Sequence, residues 1–443
     1  MDPSISTFGA SPTSGGKPCN LVTPIPIANT AGRRPHDKPP FVAQYSETLP
    51  QFEEANMFIN FWYPAIESTE LTDTPVKVRM LGQDFVLWRD DAGTACCVSN
   101  TCTHRGGSLG DGKVVNGCIQ CPYHGWRFDG DGQCTAIPSL GPNPTIPGRT
   151  RIDAYPVQEI YGLAFCFLGD LPEEERPPIM PIKECGQEGW AHTIQTYQFD
   201  INFQRSIENG IDPAHNEFVH DTHGYEGNWE DYRTPEVIPE TTEWGTGFGE
   251  WIKAPPLPEG AMKDASGRDE DAMIWVGTGH EGAASLWTFI HPTEAMHIHQ
   301  YMYECPIDEH HVRVWLINLR NFLPDAKHDE TVMARNEYVV LQDRDVLEEL
   351  HPVETPPTND KESFMPADLC IGHYRERLKE WERRGWRIDS KTVTANERRV
   401  AYAIPSPERR KHKGWVLDSI PLCAADEAAA EESGAELDQA AGI

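Results

Sequence analysis

The chain has 443 residues, with 69 Asp and Glu against 38 Lys and Arg and a net charge of −31, which argues against binding nucleic acid or an anionic membrane through a general basic surface. Its length exceeds that of a lone electron-carrier domain and points to two or three domains, and 39% hydrophobic residues with 13 Trp supply a sizeable core. The longest apolar stretch, Gly162 to Gly169, falls far short of the ~20 residues of a transmembrane helix, and twelve scattered Cys read as free thiols in a reducing, cytoplasmic compartment, not as a disulfide framework.

Residues 1–45, rich in Pro, Ser, Thr and Gly, read as a flexible arm. An apolar-aromatic segment, Met57 to Tyr63, follows. From there to Leu168, short β-type runs (Val76–Met80, Phe85–Trp88, Leu163–Leu168) alternate with turns such as Asp129-Gly130 and Asp131-Gly132, so 57–168 is predicted to be an all-β domain. Its loops carry Cys102-Thr-His104 and Cys121-Pro-Tyr-His124, sixteen residues apart. Two Cys and two His also satisfy a structural zinc ion. Zinc modules, however, usually pair Cys with Cys and His with His at short spacing. Here each cluster mixes the types, so each loop can give sulfur to one iron and nitrogen to the other. That is a Rieske [2Fe–2S] centre, whose potential is raised by replacing two thiolates with imidazoles. Gly106, Gly107, Gly110, Gly112 and Gly125 suit loops whose backbone must approach sulfide closely. Cys118 and Cys121 also form a C-x-x-C, but Cys121 belongs to the Rieske spacing. Cys96-Cys97 reads as a strand-end coincidence, not a vicinal disulfide.

The stretch Gly169 to Ile182, with Pro172, Pro177, Pro178, Pro181 and three consecutive Glu, reads as a linker. Residues 183–420 are predicted to be α+β: an antiparallel sheet, with strands at His297–Tyr303 and Val312–Leu319, backed by helices at Glu330–Leu350 and Gly372–Arg384. Near its start lies Glu208-Asn209-Gly210-Ile211-Asp212-Pro213-Ala214-His215, followed five residues on by His220. Two imidazoles and a distant carboxylate make a facial triad that holds Fe(II) and leaves positions open for O₂ and substrate. On an ideal helix, five residues set the two His roughly 140° apart. The helix must therefore bulge or end between them. Asp343 and Asp345 both offer the carboxylate, but they point to different sides of a helix, so one at most faces the iron. Asp212, ahead of Pro213, also suits a helix N-cap. His297 and His299 either line the pocket or face solvent, His223 is a candidate to support the ligands, and His310-His311 reads as surface. Residues 375–413 hold thirteen Lys and Arg against six acids, which reads as a solvated helix laced with ion pairs or as a docking face for an acidic electron donor. The end, 424–443, is Ala/Glu-rich and acidic and reads as a disordered tail.

Taken together, these residues resemble the catalytic (α) subunits of the Rieske non-haem iron aromatic-ring-hydroxylating oxygenases, over about 57–400. Cys102-Thr-His104 with Cys121-Pro-Tyr-His124-Gly125-Trp126 is similar to the family's cluster motif. Glu208-Asn209 through Asp212-Pro213 to His220 resembles its mononuclear-iron motif, and Asp343-Arg344 followed by Glu348 resembles the segment that donates the aspartate. The resemblance implies a Rieske β-domain joined to a helix-grip domain and favours Asp343 as third iron ligand. It also implies a head-to-tail homotrimer in which Asp212 bridges a Rieske histidine, His124, to His215 across the interface. It further implies a separate reductase, with or without a ferredoxin, as electron donor. The activity it implies uses O₂ to hydroxylate or oxidatively demethylate a hydrophobic or aromatic substrate, with cis-dihydroxylation as the alternative. The rival from another class is a Rieske electron carrier or redox sensor, which has no need of His215, His220 and Asp343.

Overall fold

The computed structural model describes residues 57–425, apart from 143, 221–235, 255–259, 270–271 and 357–360. The arm, His223 and nearly all of the acidic tail lie outside the described residues. Ten short strands build the first domain. They are β1 (Phe61–Glu67), β2 (Val76–Met80), β3 (Gln83–Arg89), β4 (Ala95–Ser99), β5 (Lys113–Val115), β6 (Cys118–Gln120), β7 (Arg127–Phe128), β8 (Cys134–Ala136), β9 (Val157–Ile160) and β10 (Leu163–Leu168). They form three sheets, ordered β1-β10-β9, β2-β3-β4 and β5-β6-β7-β8. All six residues of β10 are buried, as a continuous apolar run requires when both faces of a strand are covered. Cys96 and Cys97 alternate across β4: Cys97 packs into the main core and Cys96 into a smaller one with Trp88, Ile119 and Phe128. Both thiols are free. That smaller core underlies the two Cys/His loops.

The second domain is a seven-stranded antiparallel sheet. Its elements are β11 (Ala191–Phe199), α1 (Phe203–Gly210), α2 (Asn216–Val219), β12 (Glu240–Thr241), β13 (Gly245–Lys253), α3 (Ala261–Ser266), β14 (Met273–Glu281), β15 (Ser285–His291), β16 (Ile298–Pro306), β17 (Val312–Arg320), α4 (Asp329–Leu347) and α5 (Leu369–Arg383). The sheet runs β11-β17-β16-β15-β14-β13-β12, with α1 and α4 on one face. Contact between α4 and the sheet is partly polar. Asn336 Nδ2 donates to Gln195 Oε1 at 3.2 Å, and Gln300 Nε2 donates to Asn318 Oδ1 at 3.1 Å and Asn336 Oδ1 at 3.4 Å. Buried amides need partners, so this seam fixes the rotation of α4 and with it the direction of the carboxylates further along.

The linker after Gly169 packs closely along its path: Leu171, Met180 and Ile182 are buried, and its carbonyls at Pro177 and Met180 accept hydrogen bonds from Trp62 Nε1 (3.0 Å) and Tyr303 Oη (2.7 Å). Proline there fixes an extended path over the core. The basic segment 375–413 does carry ion pairs along its helices, Lys379 with Glu376 and Arg377 with Glu380, but other cations are committed to partners elsewhere. Arg375 is buried against Glu208, Arg409 grips the fully buried Asp153 with two bonds of 2.7 Å, and Arg387 pairs with Glu382. Tyr155 Oη donates to Ile404 O at 2.7 Å. Arg409 therefore ties the C-terminal segment back onto the first domain, while Arg375 braces α5 against α1 and Arg387 pairs within the segment.

Candidate functional site

The two Cys/His loops share one backbone design. Cys102 N–H donates to Gly107 O (2.9 Å) and Gly106 N–H to Cys102 O (2.9 Å). In the second loop Cys121 N–H donates to Trp126 O (2.8 Å) and Gly125 N–H to Cys121 O (3.0 Å). Each turn closes on a glycine with φ near +72°, a conformation other residues adopt at a cost. A Cβ on Gly107 would stand 2.9 Å from Cys121 Sγ, so here the missing side chain is what lets one loop lie on the other's thiol. Both thiols are buried, whereas both imidazoles reach the surface, with ring centroids 4.3 Å apart. The His104 ring stacks on Trp126 at 4.5 Å. Burial, opposed by the His104 amide and reinforced by the neighbouring Cys121 thiol, pushes Cys102 up to about 12. Two adjacent buried thiols ionise readily only with cations between them. An inner pair of sulfurs and an outer pair of nitrogens fit a [2Fe–2S] cluster with one iron inside and one at the surface.

The second centre lies on the helical face of the sheet. His215 caps the N-terminus of α2. His220 follows its end with extended backbone, φ −102° and ψ 108°. The helix therefore ends between the two imidazoles, as their spacing demands. His215 Nε2 lies 3.6 Å and His220 Nε2 3.3 Å from Asp343 Oδ1 on α4, and the three ligand atoms lie within 4.8 Å of one another. Ligand atoms at right angles on one first-row divalent ion, with bonds of about 2.1 Å, are about 3 Å apart. Asp343 Oδ1 is buried and, among the described residues, accepts no hydrogen bond. An orphaned carboxylate oxygen facing two imidazoles fits a cation. Asp345 points away, 66% exposed and paired with Arg344.

The remaining ring nitrogens are held from outside. His215 Nδ1 lies 2.7 Å from Asp212 O, and His220 Nδ1 lies 3.1 Å from Gln342 Oε1. Donation from both Nδ1–H groups leaves each Nε2 lone pair facing Asp343. Sequence reasoning gave Gln342 no role. Nothing local marks it, because its partner His220 lies 122 positions earlier in the chain. Gln342→Leu is expected to lower Fe(II) affinity about 10–100-fold, measured by equilibrium dialysis; unchanged affinity would remove the amide from the site. Asp212 is not an N-cap. Its Oδ1 accepts from Ala214 N–H at 2.7 Å in an Asx-type turn, and its Oδ2 stands 3.8 Å from His215 Nδ1. His297 and His299 neither join this site nor simply face solvent. Alternation along β16 sends Gln300 and Glu304 to the helical face and His299 to the other, where its Nδ1 lies 2.9 Å from Glu184 Oε1. His310 is exposed, and His311 pairs with Asp308 at 2.6 Å.

Residues 61–156 match the family profile of the Rieske [2Fe-2S] domain, and residues 199–384 that of the vanillate O-demethylase oxygenase C-terminal domain. The 3-chlorobenzoate-3,4-dioxygenase oxygenase subunit of Comamonas testosteroni is 33% identical over 165 residues, 36% of this chain and 37% of that protein. The 4beta-methylsterol monooxygenase of Methylococcus capsulatus is 29% identical over 283 residues, 61% of this chain and 70% of that one. Against the first relatives matched, the chain spans only 24–37% of their length. Among solved structures, dicamba monooxygenase bound to dicamba superposes with a TM-score of 0.61 at 21% identity, covering 74% of this chain and 98% of that one. That likeness establishes the α+β fold. No helix among the described residues is long and apolar enough to cross a membrane.

Proposed function

We propose that the chain, which belongs to the Rieske non-haem iron oxygenases, is the terminal oxygenase of a multicomponent system that hydroxylates or oxidatively demethylates a hydrophobic or aromatic substrate. The observation that carries this reading is the convergence of His215 Nε2, His220 Nε2 and the orphaned Asp343 Oδ1. A Rieske electron carrier has no use for that set. On this reading Cys102, His104, Cys121 and His124 hold the [2Fe–2S] cluster, and His215, His220 and Asp343 hold one Fe(II). The iron supplies O₂ activation when bound. The protein's part is to keep each Nε2 deprotonated toward the metal, through Asp212 O and Gln342, and to leave the opposite face clear for substrate.

In the same reading, a separate reductase, with or without a ferredoxin, delivers electrons, and the subunits form a head-to-tail homotrimer in a cytoplasmic setting. Asp212 then links His215 to His124 of the partner subunit. The Asp212 main-chain carbonyl takes the His215 Nδ1–H, and its carboxylate is left to accept an N–H from the partner subunit's His124 and fix that tautomer. We assign 57–168 to the cluster domain and 183–420 to the catalytic domain. Demethylation is favoured by the match over 199–384 to an O-demethylase oxygenase domain. Ring dihydroxylation is the second reading, because dioxygenase subunits are among the relatives.

The test is a panel of methoxyarenes, N-methyl heterocycles, sterols and simple arenes, assayed with a surrogate reductase. At least one is expected to elicit O₂ uptake matched by formaldehyde or an alcohol. A cis-diol would select the second reading. Cluster reduction with no substrate-dependent O₂ uptake across the panel, and no change on His215→Ala, would select the electron carrier.

A further inference from the structure

The sheet carries a third set of ligand side chains that the proposed oxygenase chemistry does not use. His291 ends β15, His299 lies at the start of β16, and His297 belongs to the connection between them. They occupy the face of the sheet opposite α1 and α4. The neighbours on β16 mark the alternation: Gln300 reaches Asn336 on α4, and Glu304 accepts from Ser206 on α1.

One ligand nitrogen from each of the three histidines lies within 4.8 Å of the other two. His291 Nε2 and His299 Nε2 are 3.1 Å apart. In a tetrahedral zinc site with bonds of about 2.0–2.1 Å, neighbouring nitrogens are about 3.3 Å apart. His299 Nδ1 donates to Glu184 Oε1 at 2.9 Å, and Tyr301 Oη donates to Glu184 Oε2 at 2.8 Å. A carboxylate on the far side of the ring, itself held by a hydrogen bond, is the outer partner that metal-binding histidines use. With Nδ1–H committed there, the Nε2 lone pair of His299 faces His291. His297 Nε2 donates to Glu294 O at 3.2 Å, which leaves Nδ1 as its lone-pair nitrogen.

The rings are walled by aromatics. Phe289 stacks on His299 at 4.0 Å, Trp275 lies 4.7 Å from His291, and Trp190 lies 5.1 Å from His299. His299 is buried, whereas His291 and His297 are half-buried, so an ion can enter and keep one position open to water. The competing account is a plain hydrogen bond from His291 to His299. It accounts for two of the three rings and leaves the Nδ1 lone pair of His297, stacked on His291 at 4.0 Å, without a role.

We propose that His291, His297 and His299 bind one divalent ion of the zinc class, with Glu184 orienting His299. The ion fastens the β15–β16 connection and, through Glu184, the segment leading out of the first domain. The iron-loaded protein is dialysed against Zn²⁺, and bound zinc and iron are both counted. Wild type is expected to gain about one zinc per chain with its iron unchanged. His215→Ala gains the same zinc, because its defect lies on the other face. His291→Ala/His299→Ala is expected to gain none, and Glu184→Gln to bind about 10–100-fold more weakly. Where the double variant fails to keep its cluster spectrum, His297→Gln alone serves, with an expected loss of at least tenfold in affinity. Zinc taken up only as iron is lost, or taken up equally by the variants at these histidines, would overturn the proposal.

Discussion

Asp343→Ala is expected to remove one iron per chain, from about three to about two, and to abolish substrate-dependent O₂ uptake while leaving the Rieske visible spectrum intact. Losing one of three protein ligands is expected to cost about 4 kcal/mol or more of transition-state stabilisation, a thousandfold in rate. The control lies two residues along the same helix. Asp345 is exposed and, among the described residues, pairs with its neighbour Arg344, so Asp345→Ala is expected to stay within about 0.5 kcal/mol in stability and to keep its iron. A further arm separates metal binding from packing. Asp343 Oδ1 is buried without a hydrogen bond among the described residues, which is a cost when no cation is present. In iron-depleted protein Asp343→Ala is therefore expected to be neutral or stabilising. Iron lost from Asp345→Ala but kept by Asp343→Ala would reverse the assignment of α4.

What the sequence made legible here follows from which interactions are local. The alternating run at 76–80 states its strand directly, because side-chain period and backbone period coincide, and the short apolar runs at 163–168 and 312–319 read as strands covered on both faces. The break between His215 and His220 was legible too, since no regular helix aligns residues five apart. The cluster loops announced themselves by residue type. Less legible was anything decided by partners far along the chain. Arg375 and Arg409 look like members of a solvated basic run, and only the fold reveals that Glu208 and Asp153 lie across from them. Gln342 is an ordinary helix residue until His220, 122 positions earlier, arrives beside it. His291, His297 and His299 sit on two strands and their connection, and composition gives no hint that Glu184, just beyond the proline-rich segment, will reach His299.

The largest stability effect is expected at Arg375, and the reason ties the fold to the iron. Arg375, on α5, donates from Nε and Nη2 to both oxygens of Glu208 on α1 at 2.7 Å each, and Nη2 also reaches Glu362 at 2.7 Å. Arg205, on α1, holds the other Glu362 oxygen at 2.8 Å and the carbonyls of Pro352 and Glu354. The Arg375 and Glu208 side chains are only 9% and 7% exposed. Burial alone would lower the Arg375 pKa, but Glu208 and Glu362 raise it well above its ordinary value. Glu362 is likewise held below the ordinary carboxylate range: burial raises it, and Arg205 and Arg375 outweigh that. Its share of the stability is therefore present above the ordinary carboxylate pKa and lost as pH falls through the depressed one. Arg375→Met leaves Glu208 buried without its cation and is expected to cost about 3–5 kcal/mol. Because α1 runs straight into the Asp212–His215 turn, the same variant is expected to hold iron more weakly. Adding Glu208→Met removes the stranded charge, and an apolar pair of similar volume can replace a buried ion pair at little cost. The double variant is therefore expected to recover at least half of the lost stability, read from denaturant midpoints at constant m. A single variant within about 1 kcal/mol of wild type, or a double variant that loses the sum of both singles, would show that these charges do not brace α1 against α5.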